Sequence, residues 1–105
     1  MNDCIFCKIC NKELSSDIIY EDEHCVCFSD INPQAKTHLL FVPKVHISSI
    51  SEMEDGHELI VAHLIKIARN VAKDLKLPGY KLHIAVNKEG GQTVFHIHLH
   101  LLSHY

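Results

Sequence analysis

The sequence predicts an α+β domain: an antiparallel sheet of about five strands, one long helix over one face, and a short helix or turn at the N-terminus. Three observations lead there. Apolar residues make up 47% of the 105 positions and charged residues 22%, the balance of a folded chain with a core. Short alternating or β-branched runs, bounded by Gly, Pro, Asn and Asp, occur at both ends of the chain. Between them lies a single stretch with apolar residues at three- and four-residue spacing. The length suits one domain over 1–105.

Taken in order, Cys4, Cys7 and Cys10 stand at every third position in a short helix or turn. Residues 18–21 and 25–28 are β-type runs separated by Asp22, Glu23 and His24, which reads as a hairpin. A polar loop over 29–36 carries Asp30, Asn32 and Pro33. Residues 37–42 are apolar and β-branched at their ends, a buried strand closed by Pro43. Ser51-Glu52-Met53-Glu54 has the form of a capping box. Downstream, Leu59, Ile60, Leu64, Ile67, Ala68, Val71 and Leu75 line one face of a helix of about five turns, which Pro78 and Gly79 end. Strands follow over 80–86 and 93–102, joined by a Gly-bearing turn over 87–92.

Several classes of function are excluded. The net charge is −3 and Lys and Arg are scattered, so a basic nucleic-acid surface is not expected. No apolar run approaches the roughly 18 residues of a membrane span. Residues 1–10 are too short, polar and acidic for a secretory leader. The expected location is the cytoplasm. There an odd count of five cysteines reads as thiols or metal ligands rather than disulfides.

Histidine is the compositional oddity, with 10 residues against no Trp. Three of them alternate in His96-Ile97-His98-Leu99-His100. In a strand His96, His98 and His100 share one face, while Phe95, Ile97, Leu99 and Leu101 point into the core. Charging three adjacent imidazoles would set like charges together, so at least one stays neutral near pH 7. A neutral imidazole is a nucleophile, a base or a metal ligand. Solvated surface histidines are the competing reading.

The His-x-His-x-His-x-x pattern at 96–102, with apolar residues at every x, resembles the histidine-triad (HIT) superfamily of nucleotide hydrolases and transferases. CIFCKI at 4–9, FSDINPQAKTHLLFVPKVHIS at 28–48 and NKEGGQTVFHIHLHLL at 87–102 carry the same resemblance over nearly the whole chain. A third His rather than Gln, His100, points to the hydrolase branch. The KVHIS and GGQ segments look most like histidine-triad nucleotide-binding proteins, which implies a HIT-like fold and a purine nucleoside phosphoramidase or AMP-lysine hydrolase.

The resemblance makes His98 the nucleophile, which attacks the α-phosphorus to form a nucleotidyl-histidine that water releases. It assigns the His96 carbonyl to the Nδ1 proton of His98, and His100 to the α-phosphate or leaving group as donor and acid. Asn87, Gly91, Gln92 and Thr93 become the phosphate-side set. Donors there must stand ready before charge develops. Read by themselves, Gly90 and Gly91 are also an ordinary hairpin turn. Asp30 becomes the ribose-binding acid, with a turn or cap role as its competitor. Phe6, Phe28 and Ile31 become the base pocket, against plain core packing for the two Phe.

Cys4-x-x-Cys7 is a two-ligand knuckle of the zinc-binding kind, or two thiols with no metal. Cys10 extends the run toward an iron–sulfur motif, but that motif's fourth Cys and Pro are missing. The resemblance completes a structural zinc site with His46 and His96. Cys25 and Cys27 share a strand face as buried thiols. His24, His38, His57, His63, His83 and His104 are read as surface or satisfied structural residues. The resemblance also implies a homodimer through the long helix and an edge strand, here 80–86. Similar proteins continue past the triad with a Gly-Gly-Arg-type tail. This sequence reads Ser103-His104-Tyr105, so substrate preference and rate are expected to differ. Two other functions fit the same residues: dinucleoside polyphosphate hydrolysis, and a purine-nucleotide-binding regulatory protein with little turnover.

Overall fold

The computed structural model describes residues 4–105, so the first three residues of the stretch weighed as a leader lie outside the described range. Helix α1 (Ile5–Cys10) is followed by strands β1 (Ile18–Glu21), β2 (Cys25–Ser29) and β3 (Thr37–Pro43). Helix α2 (Glu58–Asp74) precedes β4 (Lys81–His83) and β5 (Leu99–Ser103). The strands form one sheet in the order β1-β2-β3-β5-β4, every neighbouring pair antiparallel. The expected α+β class and five-stranded antiparallel sheet are therefore present.

Alternation along the strands separates two faces. Leu39 and Phe41 of β3, Cys25 and Cys27 of β2, and Leu99 and Leu101 of β5 join one buried cluster. It is covered by Leu64, Ile67, Ala68, Val71 and Ala72 of α2. Burying each larger aliphatic here contributes about 1.5–3 kcal/mol. Cys25 and Cys27 are fully buried, and burial pushes both thiols up to about 12, so they act as small apolar side chains. On the opposite face, Phe6, Ile9 and Cys10 of α1 pack on Val26, Phe28, Leu40 and Val42. The remainder of that face is open.

Several local expectations change. Ser51 and Glu54 do not cap α2: Ile50–Glu52 is a 3-10 turn, and the Ser51 hydroxyl bonds instead to Ser49 and Asn87. The helix begins at Glu58, after Gly56 (φ +99°), whose amide donates to the Glu58 carboxylate at 2.8 Å. It ends before Pro78, where Lys76 takes a left-handed conformation (φ +57°) and the Leu77 amide closes on the Ala72 carbonyl at 3.0 Å. Leu59, placed on the buried face by its spacing, is 72% exposed, because at about 100° per residue it lies away from the arc of Leu64, Ile67, Ala68 and Val71, whereas Ile60 in the same turn packs on the core.

The strand expected over 93–102 is shorter. Residues 94–98 leave the sheet, and the Ile97 amide donates to the Ile47 carbonyl at 2.8 Å rather than to a neighbouring strand. Strand parity therefore does not extend back to Phe95, which is 51% exposed instead of in the core.

Candidate active site

Two adjoining cavities open on the sheet face that α2 leaves uncovered. One, about 440 Å³, is walled by apolar side chains including Phe6, Ile9, Phe28 and Leu40. The other, about 400 Å³, is polar and includes His38, His83 and Gly91 in its wall. Asp30, Asn32, Thr93, His98 and His100 belong to both and mark their junction. An apolar chamber meeting a polar one at two imidazoles and a carboxylate suits a ligand with a flat apolar part and a charged part.

His98 sits at that junction, buried, with its ring set edge-on to Phe6 at 5.0 Å between centroids. Its Nδ1 lies 2.8 Å from the His96 carbonyl oxygen. A carbonyl only accepts, so Nδ1 carries the proton and Nε2 keeps its lone pair. Burial lowers the pKa of His98, which favours the neutral ring. Burial also lowers His100, aided by His98, His83 and His38, down to about 4. Both rings are thus neutral at pH 7, one with a lone pair available and the other a donor in reserve.

His96 does not line either cavity. Its ring belongs to a cluster with Cys4, Cys7 and His46, whose ligand atoms all lie within 4.8 Å of one another. The His96 ring packs edge-on to Phe6 of α1, as the His98 ring does, but the bend at 94–96 turns it to the cysteines rather than to the cavities. What His96 brings to the junction is its carbonyl.

The donor set and spacing of the cluster fit a tetrahedral metal. Bonds of about 2.3 Å to sulfur and 2.05 Å to nitrogen give tetrahedral edges of about 3.4 Å for N···N and 3.6 Å for S···N. The distances are 3.2 Å for His46 Nδ1 to His96 Nδ1 and 3.2 Å for Cys7 Sγ to His46 Nδ1. His96 Nδ1 lies 3.3 Å from Cys4 Sγ and 3.5 Å from Cys7 Sγ. The Nε2 of His96 donates to the Pro43 carbonyl at 2.8 Å, which leaves Nδ1 unprotonated, as a ligand must be. Cys10 stands outside this set: its thiol, pushed up to about 11 by burial, points at the Pro43 carbonyl, and the iron–sulfur reading ends there.

The loop before the triad divides its residues. Gly91 (φ +96°) uses a left-handed conformation that glycine tolerates, and with Thr93 it lines the polar cavity. Gln92 and Asn87 do not reach it. Gln92 is 3% exposed, and its amide is consumed by backbone groups. Its Oε1 accepts from the Asn87 amide at 2.8 Å, and its Nε2 donates to the Ser48 and Val94 carbonyls at 2.6 and 3.0 Å. The Asn87 side chain meets Ser51 instead, and Ala85 occupies the cavity wall. In this structure both side chains are engaged in holding the turn rather than lining the cavity.

Asp30 has both features weighed for it. Its Oδ1 accepts from the Asn32 amide at 2.9 Å as a turn former, while the residue lines both cavities. Ile31 is 88% exposed at the mouth of the apolar cavity. Phe6 and Phe28 are core residues that also form its wall, edge-on to each other at 5.6 Å.

Two histidines given no role also face this site. His38 Nε2 is 3.0 Å from His100 Nδ1, and His83 stacks on His100 at 4.4 Å with 10° between planes. His38 follows the β3 alternation through Leu40, but only the β3–β5 register brings it beside His100. His63 is elsewhere, bonded to Asp22 at 2.7 Å.

A family profile described as scavenger mRNA decapping enzyme C-term binding matches residues 3–105. Protein HitA of Neisseria gonorrhoeae is 43% identical over 97% of this chain and 96% of its own length. Purine nucleoside phosphoramidase of Escherichia coli K12 is 40% identical over 93% of this chain and 84% of its own length. The crystal structure of a HIT family hydrolase from Legionella pneumophila Philadelphia 1 is also similar. It superposes with a TM-score of 0.92 at 42% identity, covering 98% of this chain and 94% of that one. With its fold, its junction histidines and these relatives, the chain belongs to the histidine-triad (HIT) superfamily, among HIT family hydrolases.

Proposed function

We propose that this chain hydrolyses the bond between the α-phosphorus and the leaving nitrogen in purine nucleoside 5′-phosphoramidates or adenylylated amines, through a covalent nucleotidyl-histidine on His98. The observation that carries the reading is the 2.8 Å bond from His98 Nδ1 to the His96 carbonyl, which presents an Nε2 lone pair at the junction of the two cavities. The apolar cavity takes the base, Asp30 the ribose hydroxyls, and the polar cavity the phosphate and amine. Attack by Nε2 forms the P–N bond to His98 and breaks the P–N bond to the amine, which leaves with a proton from solvent; the attacking water of the second step returns one to solvent. The carbonyl of His96 stabilises the cationic ring. Water then attacks phosphorus, and the nucleoside monophosphate leaves with His98 restored. The phosphoramidase relative in Escherichia coli supports this substrate class.

On the same reading Cys4, Cys7, His46 and His96 hold a structural zinc ion, which ties α1 to the segment before β5. The donor set and spacing support this. Zinc would fix the His96 carbonyl in place without an open ligand position. The chain would also form a homodimer through α2, where Leu59 and Ile65 are exposed, and the edge strand β4. A monomer in sedimentation at micromolar concentration would remove that part.

Intact-mass spectrometry after rapid acid-free quenching with an adenosine phosphoramidate tests the chemistry. The wild-type chain should carry an AMP adduct that His98→Ala lacks, and the variant should still bind AMP. AMP binding with no wild-type turnover on phosphoramidates or dinucleoside polyphosphates would refute the enzyme reading in favour of a binding protein.

A further inference from the structure

The apolar cavity has a polar lip away from the junction. Of its lining residues outside the junction, the polar ones are Ser15, Ser16 and Ser29. Ser29 is the register partner of Leu39, whose side chain joins the cluster under α2, so Ser29 turns to that face. Ser15 and Ser16 are left. They lie in the loop between α1 and β1, Ser15 exposed and Ser16 half-buried. Among the described residues neither hydroxyl has a hydrogen-bond partner.

The loop that carries them is held on both sides. The Leu14 amide donates to the Lys8 carbonyl of α1 at 3.2 Å. Beyond the pair, the Ile18 amide donates to the Ser16 carbonyl at 3.0 Å, and the Ser29 amide to the Asp17 carbonyl at 3.3 Å. One end of the Ser15–Ser16 pair is thus tied to α1 and the other to the end of β2. Two hydroxyls held in this way beside an apolar wall are preorganised for the polar edge of a ligand.

A purine has such an edge. With the ribose at Asp30, the glycosidic nitrogen stands at the junction and the six-membered ring points away from it. That ring carries the C6 substituent, an amino group in adenine and an oxo group in guanine. Enclosed by Phe6, Ile9, Phe28 and Leu40 alone, this group would lose its hydrogen bonds to water with nothing in return. A hydroxyl both donates and accepts, so it suits either base, whereas a backbone amide would suit the oxo group alone.

We propose that Ser15 and Ser16 are specificity-determining residues that receive the C6 substituent of the purine at the lip of the apolar cavity, accepting from an amino group and donating to an oxo group. The proposal rests on the nucleotide reading of the site and deepens it. The base class it names is purines with a polar group at C6, adenine and guanine alike.

The test compares three ligands on the full-length chain by titration calorimetry: AMP, GMP and purine riboside 5′-monophosphate, whose C6 carries only hydrogen. The wild type should bind AMP and GMP about threefold to tenfold more tightly than the purine riboside nucleotide, the range of a neutral hydrogen bond. The double variant Ser15→Ala/Ser16→Ala should erase that difference, weakening AMP and GMP while the third ligand stays within about twofold. Its thermal melt should coincide with that of the wild type, because neither hydroxyl bonds within the described chain. Equal losses on all three ligands would overturn the proposal. AMP and GMP binding untouched in the double variant would end the proposal alone and leave the nucleotide reading standing. A wild type that binds none of the three ends the nucleotide reading and the proposal with it.

Discussion

Replacing Gln92 with Ala separates a clamp from a ligand contact. The resemblance puts Gln92 with the nucleotide, whereas the structure engages its amide with three backbone groups of the chain. Truncation removes three hydrogen bonds: it leaves the Asn87 amide without its acceptor, takes the Gln92 donor from the Ser48 carbonyl, and leaves the Val94 carbonyl with the His96 amide alone. At about 1 kcal/mol for each net hydrogen bond, the loss is about 3 kcal/mol. Two effects reduce it. Water can enter the vacated polar space, and Asn87, held at φ +63° and ψ 167°, can relax once its amide is released. A loss of about 2–3 kcal/mol remains. For a domain of this size that lowers Tm by about 10 °C or more. Urea unfolding and thermal melts of the wild type and Gln92→Ala check this, with AMP affinity measured well below the melt of the variant. A stability change under about 0.5 kcal/mol together with a large loss of AMP affinity would refute the clamp and restore the ligand contact.

The purified chain should carry close to one equivalent of zinc, and Cys7→Ser should lower both zinc content and Tm; under about half an equivalent, with Cys4 and Cys7 reactive toward thiol reagents, would count against the site. Asp22 supplies a pH dependence. Burial alone would raise its carboxyl pKa, but bonds from the His24 amide, His63, Tyr20 and the Cys25 amide hold it well below the usual range. A depressed folded pKa adds stability above the unfolded value, near 3.9, and that stability is lost as pH falls through it toward the folded pKa. Asp22→Asn should therefore be less stable than wild type at pH 7, with the gap narrowing below about pH 4; a gap unchanged from pH 7 to pH 3 would contradict the assignment.

Both the fold class and the element order were legible in the sequence because both faces of the sheet obey simple periods. The spacing of Leu64, Ile67, Ala68 and Val71 can bury only as a helix, and β2 and β3 are short runs bounded by turn residues. His98 and His100 were legible because residues two apart in an extended segment share a face, and Cys4-x-x-Cys7 because a thiol pair at that spacing is a local pattern. The tail of α2 and the start of β5 were less so. A left-handed turn at Lys76 closed the helix locally before Pro78, and a tertiary bond took the Ile97 amide to Ile47 instead of the sheet.

The sequence by itself determined which chemistry is available: imidazoles, a carboxylate and a thiol pair in one chain, with a period that sets two of those imidazoles side by side. Only the tertiary structure decided the division of labour. The bend at 94–96 sends the His96 ring to the cysteines and leaves its carbonyl for His98. The register of β3 and β4 against β5 adds His38 and His83 around His100. Side-chain period is local, so a sequence displays it. Strand register and the destination of a hydrogen bond depend on residues dozens of positions apart, and no local pattern records them.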